Sequence, residues 1–220
     1  MINVVCFKWG TEFSADYVNK LYYSVKRNTT IDVNFICYTD DPAGVECETR
    51  EFIEPLPHWW YIIGLFNPNH GFKDKIVYMD LDTIILNNID HILSIDVPFI
   101  TLRDYYRPKG LQTAYIAWEP SWGSFIWDRL TKQFPTKQSY QKLLQFTGGT
   151  NRFLEQSVGL GPEVPRLQDR VPQECVSYKV HIRDKKEPCD FSKVNMVFFH
   201  GKPRPHEVEH LPWMQQNWRI

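Results

Sequence analysis

Three short runs limit what this chain can fold into: INVVCF at residues 2–7, VNFICYT at 33–39 and KIVYM at 75–79. Each is apolar almost without a break, so neither face of a strand built from it can be left to water. Between the first two lies SADYVNKLYYSVKRN, where Tyr17, Leu21, Tyr22 and Val25 recur at helical spacing behind Ser14, a natural N-cap. Strands that are apolar on both faces and separated by helices predict an α/β fold. Its central sheet is expected to be mostly parallel and flanked by helices on each side.

Further along, HWWYIIGLF predicts a short helix, and VPFITL and TAYIAW predict later strands. GSFIWDRLTKQF and SYQKLLQF predict helices, and NMVFFH predicts a late strand. DDPAG and NPNHGFKD are turns by composition. No repeat or low-complexity linker divides the 220 residues, so one domain is expected.

A formal net charge of −1 gives no electrostatic footprint for nucleic acid or an anionic membrane surface. Aromatic residues make up 15 % of the chain, with eight Trp, which suits a well-packed core first and a sugar-binding cleft second. The five cysteines are odd in number and contain no CxxC pair, and Cys6 and Cys37 lie inside apolar runs. Buried free thiols are expected, and with them a cytoplasmic setting. The first residues read directly as a strand, so no signal peptide is expected. No apolar run approaches the roughly 20 residues of a membrane span.

The segment KIVYMDLDTIIL sets Asp80 and Asp82 inside an apolar run. On a strand the two would share a face, with Leu81 opposite. Carboxylates that close repel each other, and an unpaired one away from water costs several kcal/mol or more. A divalent cation between them removes the cost, and oxygen ligands suit Mn²⁺ or Mg²⁺. The other resolution is that both acids cap a turn or pair with lysine or arginine. The pair follows KIVYM, at the carboxyl end of a strand, where open parallel sheets bind ligands.

His200, in VFFHGKPRP, follows a second apolar run and is a candidate third ligand, or else bonds a carbonyl at a strand end. Gly201 would let a phosphate approach the backbone, and Lys202 would supply charge to it. His206 and His210 stand four apart without a further ligand at metal-site spacing, and are expected at the surface.

Taken in order, three segments resemble one family. YMDLDTIIL is similar to the DxD segment of nucleotide-sugar-dependent glycosyltransferases of the GT-A fold. FFHGKPRPHE resembles the C-terminal His-Gly-Lys-Pro segment of the glycogenin and lipopolysaccharide galactosyltransferase relatives. FKWGTEFSADYVNKLYYSVKRN, then FICYTDDPAGV, and the closing PHEVEHLPWMQQNW resemble a group of small bacterial and viral members. The resemblance implies a GT-A domain with a nucleotide-binding half at about 1–105 and an acceptor-side half, with the C-terminal metal and phosphate segment, at about 106–220.

It further implies a nucleoside-diphosphate sugar donor, with UDP as the carrier, an acceptor hydroxyl on a glycan or other molecule, and Mn²⁺ or Mg²⁺. By position, Asp80, Asp82 and His200 would hold the metal, with Asp80 also facing the donor. Phe7, Lys8, Trp9 and Tyr17 would border the base and ribose. Gly201 and Lys202 would face the diphosphate, and Arg103 and Asp104 the donor sugar. Glu155 and Gln156 align with an Asp-Gln pair that relatives place beside the sugar, so Asp104, Glu155 and Gln156 are the catalytic candidates.

The chain departs from the pattern at three places. Ile62 stands where relatives carry a lysine, Glu155 replaces an aspartate, and Gly201 follows His200 directly. The loss at Ile62 leaves open a module of the same fold that binds a nucleotide sugar or glycan without turnover. DLDT also resembles the start of the haloacid-dehalogenase phosphatases. Their Asp-x-Asp-x-Thr pattern needs the threonine one place later than Thr83, and on the first strand.

Overall fold

A computed structural model describes residues 1–220. Strand β1 (Ile2–Lys8) leads through α1 (Ala15–Arg27) to β2 (Val33–Thr39) and the short β3 (Glu48–Arg50). Helix α2 (Tyr61–Gly64), β4 (Ile76–Met79), β5 (Thr83–Ile85), α3 (Asp90–Leu93), β6 (Phe99–Arg103) and β7 (Leu111–Trp118) follow. The last third holds α4 (Ser124–Gln133), α5 (Gly149–Val158), α6 (Leu167–Arg170), β8 (Cys175–Ser177), β9 (Met196–Phe198) and α7 (Pro212–Asn217).

Six strands form the central sheet in the order β3-β2-β1-β4-β7-β6. All run the same way except β7, which is antiparallel to both neighbours. The mostly parallel α/β fold expected from the apolar runs is therefore the one observed. Two features had no sequence signal. Strand β3, in the polar stretch Glu48–Arg50, adds to the sheet edge, and β7 reverses direction. The segment SYQKLLQF winds as a 3₁₀ helix over Lys137–Gln145 rather than as an α-helix, opened by a reciprocal Thr136–Ser139 capping box.

The runs are apolar throughout because their alternate residues enter two cores. Val4, Cys6, Val77 and Met79 face one side, packed on α1, β5 and β9. Val5, Phe7, Ile76 and Tyr78 face the other, packed on α2, α4 and α5. Burial of each such side chain is worth roughly 1.5–3 kcal/mol. Helix α1 buries Tyr17, Val18, Leu21 and Val25, with Asp16 in its first turn and Lys26 and Arg27 in its last, each suited to the helix dipole. Ser14 occupies the N-cap position with extended backbone angles, but its side chain makes no capping bond.

The first sheet reverses its winding between β1 and β4. The chain lays β2 and β3 to one side of β1 and then places β4 on the other. The crevice at the carboxyl ends of β1 and β4 is thus the switch point at which such sheets bind ligands. Beside it lies a second sheet, β5-β9-β8. All five cysteines are free, and Cys6, Cys37 and Cys175 are buried. No helix is long and apolar enough to cross a membrane.

Candidate active site

Strand β4 ends at Met79, and β5, in the other sheet, begins at Thr83. Asp80 and Asp82 therefore sit in the turn between two sheets and not on a strand, and strand alternation does not orient them. The turn is pinned by Asp80 N–H donating to Ala114 O at 3.0 Å and Thr83 N–H donating to Asp80 O at 3.1 Å. Leu81 consequently lines the same cavity as its two acidic neighbours.

His200 reaches this turn through strand pairing. Strand β5 is antiparallel to β9, with Thr83 opposite Phe198. Continuing the register by one step brings Phe199 N–H to Asp82 O at 3.4 Å and sets His200 beside the turn. The result is an open cavity of about 310 Å³ lined by Asp80, Asp82, His200 and Gly201, with Phe7 and Trp9 from the end of β1. Phe13, Trp59, Tyr78 and Phe199 complete an aromatic wall, and Arg204 is the only lysine or arginine among the lining residues. Gly201 holds a backbone φ of +67°, in the left-handed region that a side chain rarely adopts.

Both carboxylates are committed. Tyr78 donates its hydroxyl to Asp80 Oδ1, and Arg204 donates Nη1–H to Asp82 Oδ2 at 2.8 Å. Burial pushes both carboxyl pKa values up, and for Asp82 the charge of Asp80 adds to it. Arg204 opposes the rise at both. One guanidinium against the buried Asp82 and the half-buried Asp80 leaves the turn short of positive charge. His200 Nε2 lies 2.7 Å from Ser177 Oγ, and burial, reinforced by nearby Lys179, holds its pKa down to about 4. The imidazole is therefore neutral at pH 7 and retains a lone pair.

No three His, Cys, Asp or Glu side chains are gathered closely enough to hold one ion. Asp80, Asp82 and His200 share a cavity without forming a closed ligand set. The donor chemistry fits Mn²⁺ or Mg²⁺, since two under-neutralised carboxylates and a neutral imidazole face one space. Arg204 and Ser177 are the side chains that now hold Asp82 and His200.

The other expected residues lie at varying distance from this cavity. Lys8 is buried and donates to Asp41 O at 3.0 Å, away from the lining. Tyr17 Oη lies 2.5 Å from His206 Nδ1, and its ring packs edge-on against Trp218. Burial pushes the Tyr17 hydroxyl up to about 12. Lys202 is exposed and outside the lining. Arg103 pairs with Asp169 and, with Asp104, lines a second cavity of about 230 Å³. Asp104 is tied to Arg107 at 2.7 Å, while the next residues, Tyr105 and Tyr106, pack their rings on His200.

Glu155 is buried. It accepts from Arg107 at 2.9 Å, from Leu111 N–H at 3.0 Å and from Arg152 at 3.3 Å. Burial raises its pKa, but these three donors outweigh burial and the net shift is downward. Gln156 accepts from Arg129 at 3.2 Å. Ile62 points into the core, 3 % exposed, and lies outside the cavity lining. Sequence reasoning missed Arg204, Tyr78 and Ser177. Arg204 carried a signal, two places after Lys202, but nothing local told which of the two cations turns inward.

No family model and no curated protein sequence matches the chain. Solved structures do. The glycosyltransferase GlyE of Streptococcus pneumoniae TIGR4 superposes with a TM-score of 0.67 at 11 % identity, covering 98 % of this chain and 63 % of GlyE. The chain has a glycosyltransferase fold. The galactosyltransferase LgtC, solved with donor and acceptor sugar analogs, gives a TM-score of 0.63 at 10 % identity over 97 % of this chain and 93 % of LgtC. The bifunctional glycosyltransferase WbbM gives 0.57 at 13 % identity over 98 % of this chain and half of its own. The GT-A similarity expected from the ordered motifs therefore holds at the level of fold. The chain spans less than two thirds of the GlyE and WbbM chains.

Proposed function

We propose that this chain transfers a sugar from a nucleoside-diphosphate sugar, a UDP-sugar by the motif resemblance, to an acceptor hydroxyl with the help of Mn²⁺ or Mg²⁺. One observation carries the reading: on a glycosyltransferase fold, the acid pair at the switch point shares its cavity with His200, Gly201 and the aromatic end of β1.

In this reading residues 1–105 bind the nucleotide, and residues 106–220 bind the acceptor and, through the C-terminal segment, the metal and the phosphates. Phe7 and Trp9, which line the cavity, would meet the base, while Lys8 and Tyr17 stand outside the lining. Asp80 and Asp82 would hold the cation, with His200 as the third ligand. When bound, the cation supplies positive charge to the departing diphosphate. Gly201 has no side chain to block a phosphate, and Lys202 adds an exposed ammonium beside it. Asp104 precedes Tyr105 and Tyr106, whose rings pack on His200, and is in this reading the candidate base for the acceptor hydroxyl. Arg103 borders the sugar from that loop. Glu155, with Gln156 beside it, keeps Arg107 and Arg152 in place behind it.

A thermal-shift screen of nucleotide sugars with and without Mn²⁺ tests this. A true donor at a hundred times its Kd stabilises by about 2.7 kcal/mol, and only when Mn²⁺ is present. A screen in which no nucleotide sugar raises the melting temperature sinks the proposal. A second reading, binding without turnover, is favoured by the burial of Ile62 where the resemblance implies a lysine. Mn²⁺-dependent binding with neither transfer nor slow donor hydrolysis would select it.

A further inference from the structure

We propose that Arg204 is the resident counter-ion of the acid pair: its guanidinium holds the place of the divalent cation in the ligand-free protein and turns to the diphosphate when cation and nucleotide bind. This rests on the metal-dependent donor site proposed above and assigns Arg204 two successive partners within it. Four observations meet at this side chain. Its Nη1–H donates to Asp82 Oδ2 at 2.8 Å. Its Nη2–H donates to Glu12 Oε1. The guanidinium carbon lies 4.8 Å from the centroid of the Phe13 ring. Finally, it is the only lysine or arginine lining the cavity.

A carboxylate pair with one member buried and the other half-buried needs some positive charge when no cation is bound, and a long, always-charged side chain is the form in which a protein can supply it reversibly. A divalent ion that takes Asp82 competes directly for the oxygen that Arg204 occupies. The displaced guanidinium stays in a cavity walled by Gly201, where the proposed diphosphate would lie, and its planar fork suits phosphate oxygens. Arg204 therefore acts in opposite directions on two ligands. It weakens the uptake of the bare cation and strengthens the uptake of cation plus diphosphate.

The test is calorimetric titration with Mn²⁺ alone and with Mn²⁺ plus inorganic pyrophosphate, on the full chain. A charged hydrogen bond is worth about one factor of ten in an equilibrium constant. Arg204→Met is therefore expected to bind Mn²⁺ alone about tenfold more tightly, and pyrophosphate in saturating Mn²⁺ about tenfold more weakly. Phe13→Leu removes the ring under the guanidinium without changing any charge. It is expected to tighten Mn²⁺ binding two- to fivefold, about the worth of one cation–π contact. A melting curve establishes that each variant is folded.

If both ligands change in the same direction in Arg204→Met, or Mn²⁺ binding fails to tighten in both variants, the counter-ion role is overturned while the donor site stands. If the wild type and both variants take up no Mn²⁺ at all, the donor-site reading falls, and the proposal with it.

Discussion

Ser177 Oγ and His200 Nε2 lie 2.7 Å apart, joined by the parallel pairing of β8 and β9 that sets Ser177 opposite Phe198. The hydroxyl fixes one ring nitrogen of a histidine that burial keeps neutral, with a pKa of about 4. Ser177→Ala should lower stability by about 1 kcal/mol in denaturant unfolding. If His200 is a ligand, the same change should weaken Mn²⁺ binding about tenfold, as loss of an orienting partner does. Unchanged Mn²⁺ affinity would remove His200 from the ligand set.

Asp82 is the acid whose carboxylate is tied to a cation already. Asp82→Ala is expected to abolish the Mn²⁺ dependence of nucleotide-sugar binding, measured as the loss of the Mn²⁺-dependent part of the thermal shift. A variant that keeps its metal dependence would place the metal elsewhere.

Lys202 and Arg204 are neighbours in sequence but not in setting, one exposed and one lining the cavity. Lys202→Met should weaken pyrophosphate binding in Mn²⁺ and leave nucleoside binding as it is. The loss should be smaller than in Arg204→Met, since an exposed ammonium acts through water. A larger loss from Lys202 would reverse the assignment.

Glu155 has a side chain that is 1 % exposed and carries Arg107, Arg152 and the Leu111 N–H. Glu155→Ala leaves a buried donor without a partner and should cost about 3 kcal/mol in equilibrium unfolding. Glu155→Gln, which keeps an acceptor for Leu111, should cost about half of that. A cost within experimental error for both would mean that the carboxylate is not a structural anchor.

Asp90 ties α3 to the end of α1, accepting from Thr30 Oγ1, Asn88 Nδ2 and the N–H groups of Thr30 and Ile31. These donors, the Thr30 hydroxyl first, hold its pKa down to about 2. A free aspartate titrates near 4, so the folded state binds fewer protons than the unfolded one over this interval. The stabilisation is full above about pH 4 and lost as the pH falls toward about 2. Asp90→Asn should flatten that part of the stability–pH curve, whereas an unchanged acid limb would assign the loss to other groups.

The parallel core of the sheet was legible in the apolar runs. VVCF, FICY and IVYM are apolar at consecutive positions because both faces of β1, β2 and β4 are covered. The sequence also carried the order of motifs that implied a glycosyltransferase fold. Strand β3 was illegible because an edge strand of three half-exposed residues needs no apolar pattern, and the direction of β7 because pairing sense leaves no mark on composition.

The site was legible as residue types and not as contacts. Asp80, Asp82 and His200 could be named, but that they share one cavity follows from the antiparallel meeting of β5 and β9. Which cation answers the acids was decided only in three dimensions. Lys202 and Arg204 look alike as charges along the chain, and the turn at Gly201 sends one to solvent and the other to Asp82. Local sequence sets which groups must be buried or charged, while the partner of a long charged side chain is set by where distant strands bring the backbone.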